Sequence, residues 1–188
     1  MQEFDPFNDR LARDIRNGLS HALIKGLDQS NPNLVHDMAT GFLGRNLAPR
    51  YTEYIQARLR HYDAIFAKTE KDGEADIFSQ ALLLWDRGLY FEVHDRLETI
   101  WLKATGTRRL ALQGMIRAAG AYIKWQSGQP EAARKMAAKA AAALIEHHAA
   151  LPHQIQHIDV LIRVLQDPVV ELPHISLRDT ILPEREQP

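Results

Sequence analysis

The chain has 188 residues and a formal net charge of −1, with 45% hydrophobic, 25% charged and 7% aromatic residues. At roughly 150 residues per domain this is one domain, or one with an extension, long enough for a core of its own, and the composition excludes disordered and fibrous chains. There is no cysteine, so disulfides, thiolate metal centres, iron–sulfur clusters and a cysteine nucleophile are excluded together, and His, Asp and Glu are the metal ligands that remain.

Residues Met1 to Arg10 carry acids where a secretory signal carries bases, and no apolar run approaches the roughly 18 residues of a membrane span. The sequence therefore reads as that of a soluble, cytoplasmic protein with no membrane segment. Asp5-Pro6 offers an N-cap with proline at the first helical position. Leu11, Ile15, Leu19, Ala22, Leu23 and Leu27 then recur at the three-to-four spacing of an amphipathic helix. Ser30-Asn31-Pro32, Gly41, Gly44 and Pro49 leave room for a short helix over Leu34 to Phe42, and a new pattern runs from Tyr51 through Ile55, Leu59, Tyr62 and Phe66. Together these predict an N-terminal helical arm over residues 1–72, bounded by the charged breaker Lys71-Asp72-Gly73. Such an arm packs on the body or on a second copy in a homodimer.

A row of helices follows over 73–166. The first spans about Ala75 to Arg87 and ends at Gly88, and the second spans about Tyr90 to Ala104 and ends at Gly106. The third spans about Arg108 to Ser127 and ends at Gly128. Each glycine stands where a left-handed C-terminal cap is wanted. Gly128-Gln129-Pro130 joins that stop to a proline at the start of the fourth helix, which makes the third and fourth antiparallel neighbours. The fourth holds eight alanines between Glu131 and Glu146, leaving little bulk on its inner side. Gly114 and Gly120 inside the third each cost about 1 kcal/mol relative to alanine, so a close helix crossing is expected there. A fifth helix is expected over His153 to Leu165. Residues 167–188, with prolines at 168, 173, 183 and 188, read as an extended tail that wraps the body or frays. No strand alternation persists, so the fold is all-α: a compact bundle of about five antiparallel helices with an arm and a tail.

The most informative stretch is Leu89 to Trp101, LYFEVHDRLETIW. At 3.6 residues per turn, Tyr90, Phe91, His94, Leu97, Glu98 and Trp101 share an arc of roughly 120°, and Glu92, Asp95, Arg96 and Thr99 lie outside it. His94 and Glu98 thus read as polar residues on a core-facing stripe, where they must find partners or pay for lost hydration.

Residues Phe78 to Leu144 resemble the domain-of-unknown-function 309 family of bacteria and archaea. The hallmark H-x-x-x-E-x-x-W stands as His94, Glu98 and Trp101, preceded by Gly88, Tyr90, Phe91 and Glu92 and followed by Leu112-Gln113-Gly114. The resemblance implies an all-α fold and a metal-binding role for the motif, and brings no established activity with it. Two positions depart from the pattern: Asp95 replaces the usual glutamate after the motif histidine, and Arg117 replaces a glutamine. An arginine there competes with a metal for the charge of Glu98.

Three readings follow for this motif. In the first, favoured here, the protein is a structural or interaction module rather than an enzyme. His94 donates to Glu98, which also accepts from Arg117, Arg108, Arg109 or the Trp101 indole, and the buried network fixes helix packing. In the second, His94 and Glu98 share a divalent metal, since residues four apart on a helix face the same way. In the third, the pair is an acid–base or small-ligand site centred on His94, Glu98 and Trp101, with Glu92, Arg108, Arg109, Gln113 and Arg117 as further contacts. His147, His148, His153 and His157 form a second cluster, with the last two a helical turn apart, and read as a solvated surface. Between Arg87 and Lys139 ten Lys or Arg stand against four Asp or Glu. Arg108 and Arg109 add positive charge to a helix N-terminus, where a small anionic ligand can dock. Nucleic acid is disfavoured, because no aromatic platform or strongly basic balance accompanies that excess.

Overall fold

The structure, a computed structural model, describes residues 4–72, 76–167 and 172–178. Among these residues there are eight α-helices, one short 3-10 helix and no strand, so the chain is all-α. It divides into two compact units, Met1–Asp76 and Ile77–Pro188.

The first unit contains α1 (Arg10–Gln29), α2 (Asn33–Leu43) and α3 (Pro49–Asp72). The helix expected from Asp5-Pro6 begins later, because Asp9 is the residue that caps it. Its carboxylate accepts from the backbone N–H groups of Leu11 and Ala12 at 2.9 and 3.3 Å. Asp5 instead closes the preceding turn, accepting from the Phe7 and Asn8 backbone at 2.9 and 3.2 Å. Asp9 also accepts from the Tyr51 hydroxyl at 2.5 Å, and the Arg50 guanidinium lies 3.7 Å away, which ties the start of α1 to the start of α3. The Tyr51 hydrogen bond holds the Asp9 carboxyl below its ordinary range. Ile15, Leu19 and Leu23 of α1, Val35 of α2, and Ile55, Tyr62 and Ile65 of α3 are at most 1% exposed and form the unit's own core.

The second unit runs through α4 (Ile77–Asp86), α5 (Tyr90–Trp101), α6 (Gly106–Gln126), α7 (Pro130–His147), the short 3-10 helix His148–Ala150 and α8 (Ile158–Gln166). Each α-helix packs on the next. Gly88 and Gly128 cap α4 and α6 in the left-handed region, at φ 68° and 70°. The residue after each glycine donates back over the cap, Leu89 to Leu84 at 3.0 Å and Gln129 to Lys124 at 2.9 Å, the bond of a Schellman turn. Gly106 departs from the expectation. α5 ends at Trp101, a turn follows, and Gly106, at φ 58°, opens α6 instead of closing α5.

The close crossing expected at Gly114 and Gly120 is present between α6 and α7. A Cβ on Gly114 would lie 2.9 Å from Leu144, and one on Gly120 would run into the sulfur of Met136. The alanine-rich side of α7 supplies the matching surface, with Ala133, Ala137, Ala140 and Ala141 buried. The last helix begins at Ile158, not His153, because His157 adopts a left-handed backbone at φ 53° and separates the two segments. His153 and His157 therefore do not share a helical face. Of the tail, residues 172–178 are extended and seated on the second unit, with Leu172 and Leu177 buried. Residues 168–171 and 179–188, with the prolines at 168, 183 and 188, lie outside the described residues.

Candidate functional site on α5

Helix α5 packs against α4 before it and α6 after it, so it buries a wide arc. That arc is centred differently from the one expected from the sequence: Tyr90, Glu92, Val93, Arg96 and Leu97 are the buried residues. Glu92 and Arg96, placed outside the apolar stripe by the wheel, are 0% and 2% exposed. They stand four apart and so lie side by side on the helix. Arg96 also donates to the Oε1 of Gln80 on α4 at 2.5 Å, and Gln80 is itself only 5% exposed. Charged groups this deep are stable only when their hydrogen bonds are made. The buried polar bond that joins α4 and α5 is therefore that of Arg96 to Gln80, with the buried Glu92 one turn before Arg96 on α5.

Glu98, expected in the core, is exposed, and His94 is half-buried. The buried His94/Glu98 pair of the sequence reading is thus corrected. Tyr90, Leu97 and the flanking helices pull the axis of burial toward Val93 and Arg96, which turns Glu98 to the surface. The network proposed around Glu98 does not form either. Among the described residues no side-chain hydrogen bond or ion pair joins Glu98 to Arg117, Arg108, Arg109 or the Trp101 indole. Arg108 is exposed in the first turn of α6, while Gln113 and Arg117 are half-buried further along it.

The structure gathers a different trio. His94, Asp95 and Glu98 each offer a ligand atom, and these atoms lie within 4.8 Å of one another. The imidazole Nδ1 is 3.5 Å from the Asp95 carboxylate, with the two side chains 36% and 15% exposed. Two ligand atoms bound at about 2.1 Å to one ion lie at most about 4.2 Å apart, so small side-chain rotations suffice to bring this set onto a single cation. One imidazole with two carboxylates suits zinc, manganese or ferrous iron. Asp95 was missed as a ligand because the wheel places it away from His94. The signal that could have found it is its position next to His94 in the chain, where short side chains on a helix can still converge.

Beside this trio, Trp101 follows Glu98 by three residues on the same helix, and the Arg109 guanidinium lies 4.1 Å over its indole ring. Arg109 also donates to the Ala104 carbonyl at 3.3 Å. The buried indole N–H of Trp101 has no hydrogen-bond partner among the described residues. The second histidine cluster stays dispersed: His147 lies 3.6 Å from Glu146, His148 is bonded to the Leu144 carbonyl at 2.8 Å, and His153 and His157 are exposed.

Residues 78–136 match the model of a family described as Domain of unknown function (DUF309), which bears out the resemblance over that segment. No curated protein and no solved structure matches the chain. No helix among the described residues is long and apolar enough to cross a membrane.

Proposed function

Since residues 78–136 match the DUF309 family model, we propose that the unit carrying them is a metal-binding helical domain. In this reading His94, Asp95 and Glu98 hold one divalent cation at the surface of α5. The observation that carries it is the convergence of an imidazole and two carboxylates within 4.8 Å, with His94 and Asp95 half-buried and Glu98 exposed. A purely architectural role for His94 and Glu98 loses its support with Glu98 exposed, and the buried polar bond between α4 and α5 is made by Arg96 and Gln80 instead.

Three protein ligands leave at least one coordination position to water or to a ligand. Arg109, its guanidinium held 4.1 Å over the Trp101 ring, supplies a positive group for a small anion. The unpartnered Trp101 N–H adds a donor, and an unmade bond at such a group costs about 1–3 kcal/mol that a ligand or water can recover. The domain thus combines a metal with an anion-recognising edge, the chemistry of a small carboxylate or phosphate ligand.

Elemental analysis of protein purified without a histidine tag, followed by titration with zinc and manganese, tests the reading. One equivalent of metal is expected in the parent protein and in a control with His153 and His157 replaced by alanine. His94→Ala and Glu98→Ala should lose it while keeping their helical content. Absence of saturable metal binding in the parent protein, or equal binding in both motif variants, refutes the proposal.

A further inference from the structure

In the second unit, three aromatic rings from successive helices meet the extended segment 172–178. Trp85 of α4, Tyr90 of α5 and Tyr122 of α6 are at most 3% exposed. The Trp85 ring stands edge-on to both tyrosines with centroids 5.1 Å apart, and the tyrosine rings are 4.5 Å apart. Every polar tip of this cluster is turned to the segment. The Trp85 indole donates to the Ile175 carbonyl and the Tyr122 hydroxyl to the Pro173 carbonyl, both at 2.8 Å. The Tyr90 hydroxyl shares a 2.8 Å hydrogen bond with His174 Nδ1. The Leu177 N–H donates to the Asp86 carboxylate at 2.8 Å, and the Leu177 carbonyl accepts from the Gln156 N–H at 2.9 Å.

Most of these contacts read backbone. The groups used belong to residues 173, 175 and 177, the alternating set that faces one way in an extended chain. Side-chain selection falls mainly on Leu172 and Leu177, which are 6% and 0% exposed, with the ring of the otherwise exposed His174 meeting the Tyr90 hydroxyl. Burial of two leucines and a few hydrogen bonds must offset the ordering of the whole segment, so the segment is held far less firmly than a core helix. Once it leaves, the buried indole and hydroxyl donors lose their acceptors, and what restores them is another row of backbone carbonyls at the same spacing.

We propose that Trp85, Asp86, Tyr90 and Tyr122 form a peptide-binding groove. Its ligand class is an extended peptide with leucines at its first and sixth positions, and residues 172–178 are its displaceable in-chain occupant. The inference is independent of the metal site.

The test uses the full chain and a fluorescein-labelled peptide, ELPHISLR, copied from residues 171–178. Leu177→Asp unseats the chain's own segment. Anisotropy should show the peptide binding this variant at least tenfold more tightly than the parent, whose own segment competes at an effective concentration of order millimolar. Adding Tyr122→Phe should weaken peptide binding severalfold, and a peptide carrying aspartate in place of the second leucine should not bind. No binding by a folded Leu177→Asp protein, or equal binding to parent and variant, overturns the proposal. Hydrogen exchange in the unaltered protein keeps the test independent of the variant's folding. The Leu177 amide should exchange at least a hundredfold faster than the slowest amides of α6, and exchange at the same rate as those amides also overturns it.

Discussion

Two glycines inside α6, with a third in α2 as an open-space control, offer a quantitative test of how α6 and α7 meet. Replacing an interior helical glycine by alanine gains about 1 kcal/mol of helix propensity when nothing stands in the way. At Gly114 the new methyl would lie 2.9 Å from both Cγ and Cδ2 of Leu144 and 3.3 Å from the Ala143 Cβ. Leu144 is fully buried, and its Cγ is held close to its own backbone, so α7 itself must move. Overpacking of this kind costs about 1–3 kcal/mol, which leaves Gly114→Ala destabilising by about 1 kcal/mol net. At Gly120 the close neighbour is the sulfur of the half-buried Met136. An unbranched thioether can swing aside, so gain and cost nearly cancel and Gly120→Ala should stay within about 0.5 kcal/mol of the parent. Gly41, on the exposed side of α2, meets nothing within 4 Å, and Gly41→Ala should stabilise by about 0.5–1 kcal/mol.

Urea unfolding measures all three. The three tryptophans, Trp85, Trp101 and Trp125, lie in the second unit, so their fluorescence follows Gly114 and Gly120, and far-ultraviolet circular dichroism follows Gly41. Unchanged slopes with shifted midpoints identify a change in stability alone. A Gly114→Ala protein as stable as the parent, or a Gly120→Ala protein that loses more than Gly114→Ala, refutes the packing argument.

Glu92→Ala should destabilise the second unit by about 3 kcal/mol or more, because it leaves the buried Arg96 guanidinium without the carboxylate beside it. Glu98→Ala, at an exposed position, should change stability by less than about 0.5 kcal/mol, and tryptophan-monitored unfolding that ranks the two equally would contradict the assignment of roles. In the first unit, Asp9 is held below its ordinary value of 3.8 in the folded state, first by the Tyr51 hydrogen bond. The unfolded chain then binds more protons than the native one in the acid range, so stability rises with pH there. The Asp9 contribution is complete above the unfolded value and is lost as pH falls through the lowered one. Tyr51→Phe should lose less stability than the parent between pH 5 and 3, as urea midpoints at several pH values will show, and an unchanged acid limb would remove Asp9 from the account.

The helices were legible because their determinants are local. The spacing of Ile15, Leu19 and Leu23 sets one buried face, and the backbone freedom of Gly88 and Gly128 ends two helices wherever the chain then goes. Local order also explains the errors. Asp5 and Asp9 are both competent caps, and only Tyr51 and Arg50, far away in sequence, favour the second. His157 takes a left-handed backbone that its residue type does not announce. The crossing at Gly114 and Gly120 was readable because an interior glycine has a cost that only a close neighbour explains.

The site was legible in its residues and not in its orientation. The motif named His94, Glu98 and Trp101, yet a helix wheel assumes a single buried side, and α5 is covered from two. Burial then centres where the neighbours overlap, sending Glu92 and Arg96 inward and Glu98 outward, and it brings Asp95 into reach of the other two ligands. The groove filled by residues 172–178 has no local signature, since its walls come from three helices and its occupant from the far end of the chain. By itself the sequence determined which segments are helical, because periodicity and capping are properties of neighbours along the chain. Only the tertiary structure decided which faces are buried and which polar groups meet, because burial depends on everything that packs against a helix at once.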